Sequence, residues 1–323
     1  MQTSIGIDIK YAKELLEQGE LVAIPTETVY GLAGNALNED AVIKIYTAKN
    51  RPQFNPLIIH VANFSEADKY VREIPSKIKL LAENFVPGPL TFLLTKKEII
   101  PDIVTAGSNK VAVRIPNHPL TIELLSQLNF PLAAPSANPF GYVSPTNAQH
   151  VYDGLNGKIP YILDGGECTV GLESTIIGLN DYGKIIIHRV GGVSIEDIEK
   201  ITGEKVVFQS NEMDIPDTPG QLKSHYATHT PLYLGNIGEM IKKYKGKKIA
   251  VISFSKNYDD VDLKNQFILS PSGNLEEAAK NLFKALRKTD ELDVEIILAE
   301  LLPGKGLGRA VNDRLHRAQH IYK

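Results

Sequence analysis

Residues 22–61 read VAIPTETVYGLAGNALNEDAVIKIYTAKNRPQFNPLIIHV, and the fold turns on this stretch. It opens on the apolar run Val22-Ala23-Ile24 and closes on Leu57-Ile58-Ile59. Short apolar runs bounded by proline and polar turns read as buried strands. Between them, Asn38 caps a helix in which Ala41, Val42, Ile45 and Tyr46 recur at helical spacing. That helix delivers Lys49 and Arg51 at its C-terminal end, and Pro52 stops it. Strand, turn, helix, turn and strand predict an open α/β sheet, where ligands bind at the rim of strand ends and loops. The rim here carries Thr26, Glu27, Thr28, Tyr30, Lys49, Arg51, Asn55 and His60.

Upstream, Asp8 caps a helix with Ile9, Ala12, Leu15 and Leu16 on one face and Gly19 as its stop. Downstream, helices are expected at 65–72, 76–85, 118–127 and 194–201. Strands are expected at 91–95, 110–115, 160–163, 173–178 and 184–190. The segment 131–146 reads as a short strand followed by a long Pro, Ser and Asn loop. Apolar periodicity then fails over 206–230, which reads as a linker. Beyond it, strands at about 231–234, 248–254, 266–269 and 294–300 alternate with helices at 237–245, 274–288 and 309–321. Such alternation implies parallel pairing in a doubly wound domain. The expected organisation is a first domain over 1–205, a linker over 206–230 and a second domain over 231–323.

Length and composition fit this plan. The chain has 323 residues, 43% hydrophobic and 23% charged, with a formal net charge of −3. That balance argues against nucleic acid or an anionic membrane as the dominant partner. A single cysteine, Cys168, permits no intrachain disulfide and fits a reducing compartment. Without a neighbouring His it reads as an inert small residue. The N-terminus lacks a basic region followed by a long apolar run, and no stretch approaches the roughly 20 apolar residues of a membrane span. A cytoplasmic location is expected.

Motifs narrow the chemistry. Gly178–Gly183-Lys184 nearly matches a phosphate-binding loop, but Ile185 stands where a hydroxyl is needed and IIIHRV continues as a strand, so a hairpin turn is expected. Gly304–Gly308 reads as a flexible turn into a helix. Lys49 and Arg51 taken alone would offset a helix dipole. Together with Ser136, Asn138 and Ser144 of the polar loop and Arg189 near a strand end, they suggest a polyanion site built from separate segments. His60 ends an apolar strand. Arg114 lies inside another (VAVRIP), where an unpaired charge is costly, so it wants a carboxylate from the protein or from a substrate. Ser174-Thr175 open a third. These features converge on a polar pocket in an apolar sheet. The His225, His229 pair lacks the setting of a zinc site, and no GxSxG elbow is present.

PTETVYGL, AKNRP with NPLIIHV, VAVRIP, APSAN and LESTII together resemble the YrdC-like fold of threonylcarbamoyl-AMP synthases. PGQLKSHYA and GLGRAVNDRLHRA resemble the inter-domain segment and C-terminal domain of the long form. The segment departs from the family's usual Met after PG and Pro after HYA. The resemblance implies a YrdC-like open twisted mixed sheet with helices, plus a smaller Rossmann-like parallel α/β domain. It implies a synthase that joins L-threonine, bicarbonate (as CO2) and ATP, with Mg²⁺, into threonylcarbamoyl-AMP and pyrophosphate. The product would serve a tRNA threonylcarbamoyl transferase partner. By motif match, Lys49, Arg51, Asn55, Ser136, Asn138, Ser144, Arg189 and Tyr226 would face ATP, with Lys49 and Arg51 carrying catalysis. Thr28, His60, Arg114 and Ser174 would hold L-threonine, with Arg114 on its carboxylate and His60 on its hydroxyl. Tyr226 would sit in a linker that folds over the site. The alternative is an RNA-binding module without ATP chemistry, or a protein with weak RNA contact beside its enzymatic role. A carbamoyl-transfer domain of the hydrogenase-maturation type is disfavoured, because no zinc-finger Cys pairs are present.

Overall fold

Residues 2–209, 218 and 226–319 are described by the structure, a computed structural model. Strands β1 (Ser4–Gly6), β2 (Val22–Ile24), β3 (Gly31–Asn35), β4 (Ile58–His60), β5 (Leu90–Thr95), β6 (Lys110–Arg114), β7 (Leu132–Ala133), β8 (Tyr161–Leu163), β9 (Thr175–Leu179), β10 (Ile185–Arg189) and β11 (Val207–Phe208) come from the first part of the chain. They form one mixed sheet in the order β1-β8-β2-β3-β7-β4-β6-β5-β9-β10-β11.

The stretch 22–61 departs from its simplest reading in one respect. Its two apolar strands are not neighbours, because β3 and β7 lie between β2 and β4. Residues 31–35, GLAGN, form a strand antiparallel to β2, with Val22 opposite Ala33 and Ile24 opposite Gly31. The turn PTETVY therefore closes a hairpin. Glycines are poor strand formers, so this element carries no strand signal in the sequence. Packing requires one of them: a Cβ at Gly34 would lie 3.1 Å from Leu21 Cδ2 and 3.2 Å from Ile45 Cδ1.

Two registers place the site. β7 pairs with both β3 and β4, Ala133 facing Gly34 and Ile59. The loop after β7, carrying Ser136 and Asn138, therefore leaves the sheet between the rim residues of β3 and β4. Next, β4 runs parallel to β6 with His60 opposite Arg114. β6 runs antiparallel to β5 with Arg114 opposite Thr91, and β5 runs parallel to β9 with Leu90 opposite Thr175. His60, Arg114 and Thr91 thus share one row across three strands, and residues opposite one another point to the same face.

Smaller differences concern edges and short pieces. The expected helix at 65–72 is a 3-10 helix over Phe64–Lys69. β1 and the single helical turn Asp102–Thr105 are additions to the sequence expectation. β11 pairs with β10 and extends the first sheet two residues into the stretch read as linker; Val207 and Phe208 are apolar but exposed, and two residues are too short a run to read as a strand. The hairpin turn expected near Gly183 joins β9 to antiparallel β10.

β12 (Leu232–Leu234), β13 (Ile249–Ser253), β14 (Gln266–Ile268) and β15 (Ile296–Ala299) form a second, wholly parallel sheet in the order β12-β15-β13-β14. The helices Leu275–Asp290 and Gly308–Ala318 pack on it through Leu282, Phe283, Leu286, Val311 and Leu315. That core also takes in Val29, Val143, Leu172 and Tyr226 from earlier in the chain. The two sheets are therefore joined by shared apolar packing, and the joint lies beside the rim.

Candidate active site

A cleft with about 530 Å³ of empty space, mouth included, opens at the rim. Thr26, Arg51, His60, Arg114, Ser136, Glu173, Arg189 and Tyr226 supply its polar lining, with Val29, Ile58 and Pro135 among the apolar residues.

One half is cationic. The helix Glu39–Lys49 ends at Asn50, which takes a left-handed conformation (φ 53°) and turns the chain back. Arg51 is thereby aimed into the sheet. Its Nε donates to the Asn55 carbonyl at 3.1 Å, and its Nη2 donates to Asn55 Oδ1 at 2.7 Å and the Pro56 carbonyl at 2.8 Å. Arg189 reaches in from β10, donating from Nε to the Ser174 carbonyl and from Nη2 to Ser174 Oγ, both at 3.1 Å. Burial pulls both guanidinium groups down to about 10, so both stay charged at neutral pH. Lys49 is buried behind them. Its Nζ donates to the carbonyls of Ser136 and Asn138, each at 2.5 Å, tying the helix end to the loop after β7. Burial and then the charge of Arg51 hold Lys49 well below the ordinary lysine range.

The other half is built on the row His60, Arg114 and Thr91. Arg114 Nη2 donates to Glu27 Oε1 at 2.7 Å, and Glu27 Oε2 accepts from the Asn117 backbone at 3.0 Å. Burial, reinforced by Arg114, lowers the His60 imidazole to about 3, so it is neutral. Thr26 donates to the Val29 carbonyl at 2.6 Å and lies 2.8 Å from Thr28 Oγ1, so the proton between the two threonines belongs to Thr28. Ser174 Oγ lies 2.7 Å from Thr91 Oγ1.

Among the described residues, the buried polar atoms Asn55 Nδ2, His60 Nδ1, Arg114 Nε and Asn138 Oδ1 around the cleft meet no hydrogen-bond partner. An unsatisfied buried group costs about 1–3 kcal/mol, so a concentration of them marks a place made for polar company. The charges agree. Four guanidinium groups, Arg51, Arg114, Arg189 and Arg314, are buried in or behind the cleft against Glu27, Glu173 and the partly exposed Asp313 that Arg314 also meets. Buried charge in such excess calls for an anionic ligand.

Six of the twelve anticipated residues line the cleft: Arg51, His60, Ser136, Arg114, Arg189 and Tyr226. Lys49, Asn55 and Asn138 stand directly behind it. Thr28, Ser144 and Ser174 are fully buried, with their hydroxyls already engaged. Ser144 in particular donates to Glu173 Oε1 at 2.6 Å. Glu173 and Thr26 line the cleft as well, beyond the residues that the motifs assign to a ligand. Glu173 carries a readable signal: like Arg114, it is a charge at the mouth of an apolar strand, LESTII. Of the anticipated linker over the site, Thr218 and Tyr226–Thr230 are described; Tyr226 lines the cleft, and residues 210–217 and 219–225 lie outside the described residues. His225 is among the latter, while His229 Nδ1 meets Asp290 at 2.7 Å. No group of three or more His, Cys, Asp or Glu side chains suited to a metal occurs among the described residues. Cys168 is buried and its thiol is pushed up to about 12, which removes it as a nucleophile.

A family model described as telomere recombination matches residues 14–191, and one described as the C-terminal domain of threonylcarbamoyl-AMP synthase matches 193–319. The Pyrococcus abyssi threonylcarbamoyl-AMP synthase is 43% identical over 324 residues, covering 96% of this chain and 93% of that protein. This chain belongs to the threonylcarbamoyl-AMP synthase family. The Bacillus subtilis member is 39% identical over 320 residues, covering 96% of this chain and 92% of its own. A crystal structure of P. abyssi Sua5 complexed with L-threonine superposes with a TM-score of 0.89 at 41% identity, covering 98% of this chain and 96% of the other. The family fold, a mixed sheet with a smaller second domain, is the one described above. No helix among the described residues is long and apolar enough to cross a membrane.

Proposed function

We propose that this protein is an L-threonylcarbamoyladenylate synthase, making threonylcarbamoyl-AMP and pyrophosphate from L-threonine, bicarbonate or CO2, and ATP. The carrying observation is the cleft's division. Arg51 and Arg189 make a cationic half suited to phosphates. The Arg114–Glu27 pair with neutral His60 makes a half suited to a small zwitterion. The L-threonine in the P. abyssi Sua5 complex supports this reading.

The neutral amine of threonine attacks CO2, losing a proton, and leaves a carbamate. A carbamate oxygen then attacks the α-phosphorus of ATP. The bond to the β-phosphate bridging oxygen breaks, and pyrophosphate departs. In this scheme Arg114 Nε, the side of the guanidinium that Glu27 does not occupy, takes the threonine carboxylate. His60, neutral with a pKa near 3, is a weak base and serves as a hydrogen-bond partner for the hydroxyl. Arg51 and Arg189 face the triphosphate and the charge that develops on the leaving pyrophosphate. Lys49 fixes the Ser136–Asn138 loop from behind through two carbonyls. No side chain here is assigned as the acceptor of the amine proton; the cleft acts by positioning and charge neutralisation.

Mg²⁺ enters with the nucleotide as part of the substrate. Mg²⁺ in phosphate sites keeps several waters and takes most other ligands from the phosphates, which suits a cleft with few carboxylates. The product is an activated carbamate, to be consumed by a transferase that modifies the adenosine beside the anticodon of tRNA.

The deciding experiment is pyrophosphate release from ATP with each co-substrate withheld in turn. Release that requires both L-threonine and bicarbonate is expected. Release indifferent to threonine would sink the synthase reading, and tight RNA binding without ATP turnover would favour a binding module.

A further inference from the structure

The smaller domain reaches the cleft wall from behind. Arg314, on the helix Gly308–Ala318, is fully buried. Its Nε donates to Glu173 Oε2 at 2.9 Å, its Nη1 to Asp313 Oδ2 at 2.6 Å and its Nη2 to the Val190 carbonyl at 3.0 Å. Its guanidinium carbon lies 5.1 Å from the centre of the Tyr226 ring, which stacks on Phe283 at 5.5 Å. Glu173 and Tyr226 both line the cleft, whereas Arg314 does not. The reaction scheme uses neither Glu173 nor Arg314.

A buried carboxylate on the wall of a triphosphate site poses an electrostatic problem. Unpaired, Glu173 would repel the ligand that Arg51 and Arg189 attract, and at 5% exposure it has little solvent to screen it. Arg314 cancels that charge with a direct bond, and its planar face holds the Tyr226 ring in place.

We propose that Arg314 is a positioning residue for the nucleotide: it neutralises Glu173 and fixes the Tyr226 side of the cleft, making the second domain a working part of the ATP site. This rests on the synthase reading for the identity of the nucleotide.

The test uses the full chain and measures ATP and AMP binding by calorimetry alongside pyrophosphate release. Arg314→Met should weaken ATP binding by about ten-fold or more, as expected when one partner of a buried charge pair is removed. The KM for threonine should stay within about two-fold, since couplings fade for separate sites. The loss should be larger for ATP than for AMP, because Glu173 then repels the more highly charged ligand. Adding Glu173→Gln should restore most of the ATP affinity. Equal rises in both KM values, or a double variant no better than Arg314→Met, would overturn the proposal and leave Arg314 a docking residue. Should Arg314→Met not fold, Arg314→Met/Glu173→Gln removes both charges of the pair together and replaces it; retained ATP binding supports the proposal and lost binding overturns it. Failure of the unaltered protein to couple pyrophosphate release to threonine would instead count against the synthase reading, while the ATP and AMP affinities would still decide the role of Arg314.

Discussion

Arg114 and Glu27 meet at 2.7 Å with side chains only 5% and 6% exposed. One comes from the middle of the sheet and the other from a hairpin turn 87 positions earlier in the chain. Glu27 occupies Nη2 of the guanidinium, and among the described residues Nε has no partner at the cleft. The pair is thus a half-filled recognition fork, fixed on one side by protein.

Breaking that fork should damage one substrate far more than the other. Arg114→Ala and Glu27→Gln are each expected to raise the KM for threonine by about ten-fold or more, the usual consequence of breaking a buried charge pair. The KM for ATP should move little. Steady-state pyrophosphate release with each substrate varied separately checks this, and a larger rise for ATP would reverse the assignment of the two halves.

The opposite split is expected on the cationic side. Arg51→Met should weaken ATP binding by about ten-fold or more, with threonine binding nearly unchanged. Arg51→Lys should not restore it, because a lysine cannot reproduce the fork to Asn55 and Pro56. Calorimetric titration with ATP reads the effect directly.

Gly171 tests the joint between the sheets. Its φ is +74°, and a Cβ there would lie 2.6 Å from the Lys280 backbone on the helix Leu275–Asp290. Gly171→Ala should lower stability by about 2–5 kcal/mol, the left-handed backbone and the overpacking adding together. Gly107, with φ +82° and open space around it, is the control. Its alanine variant should lose only the backbone part, about 1–2 kcal/mol. Equal losses in thermal denaturation would show that the contact with Lys280 carries no strain.

Asp290 should make stability depend on acidity. Burial pushes its carboxyl up, but hydrogen bonds from the Thr230 and His229 backbone, the His229 ring and Tyr142 outweigh this and hold it below the ordinary aspartate range. A depressed folded value means that the stabilisation is complete above the unfolded pKa of about 3.9 and is lost as pH falls through the folded one. The melting-temperature gap between the protein and its Asp290→Asn variant should be constant at neutral pH and close in acid. A gap that widens in acid would contradict this sign.

Mg²⁺ should be needed for the nucleotide half alone. Chelation is expected to abolish pyrophosphate release while leaving threonine binding, followed by calorimetry, intact. Loss of threonine binding on chelation would place the metal in the wrong half of the cleft.

Much of the fold is legible in the sequence. The periodicity at Ala41, Val42, Ile45 and Tyr46 and the cap at Asn38 define a helix that the chain forms over Glu39–Lys49. Alternation after residue 230 announces a parallel sheet. The cost of burying charge marks Arg114, and the same rule marks Glu173. The strand Gly31–Asn35 is not legible, because Gly34 is explained only by the side chains of Leu21 and Ile45 that crowd it, and Gly31 by the approach of Ala134 from the end of β7 and its following loop. Nor is the engagement of Thr28, Ser144 and Ser174, since a hydroxyl's partner is set by what folds against it.

Along residues 22–61, the sequence alone determined which residue types stand on the rim between two apolar strands. That follows from local physics: periodicity, caps, and the reluctance of charge to enter an apolar run. Only tertiary structure decided which of them face the cleft. β3 and β7 intervene between the two strands, bringing the Ser136–Asn138 loop against Lys49. Arg314, more than 250 positions beyond His60, is set against Glu173 by the last helix. Such pairings depend on sheet order and domain packing, which local sequence does not encode.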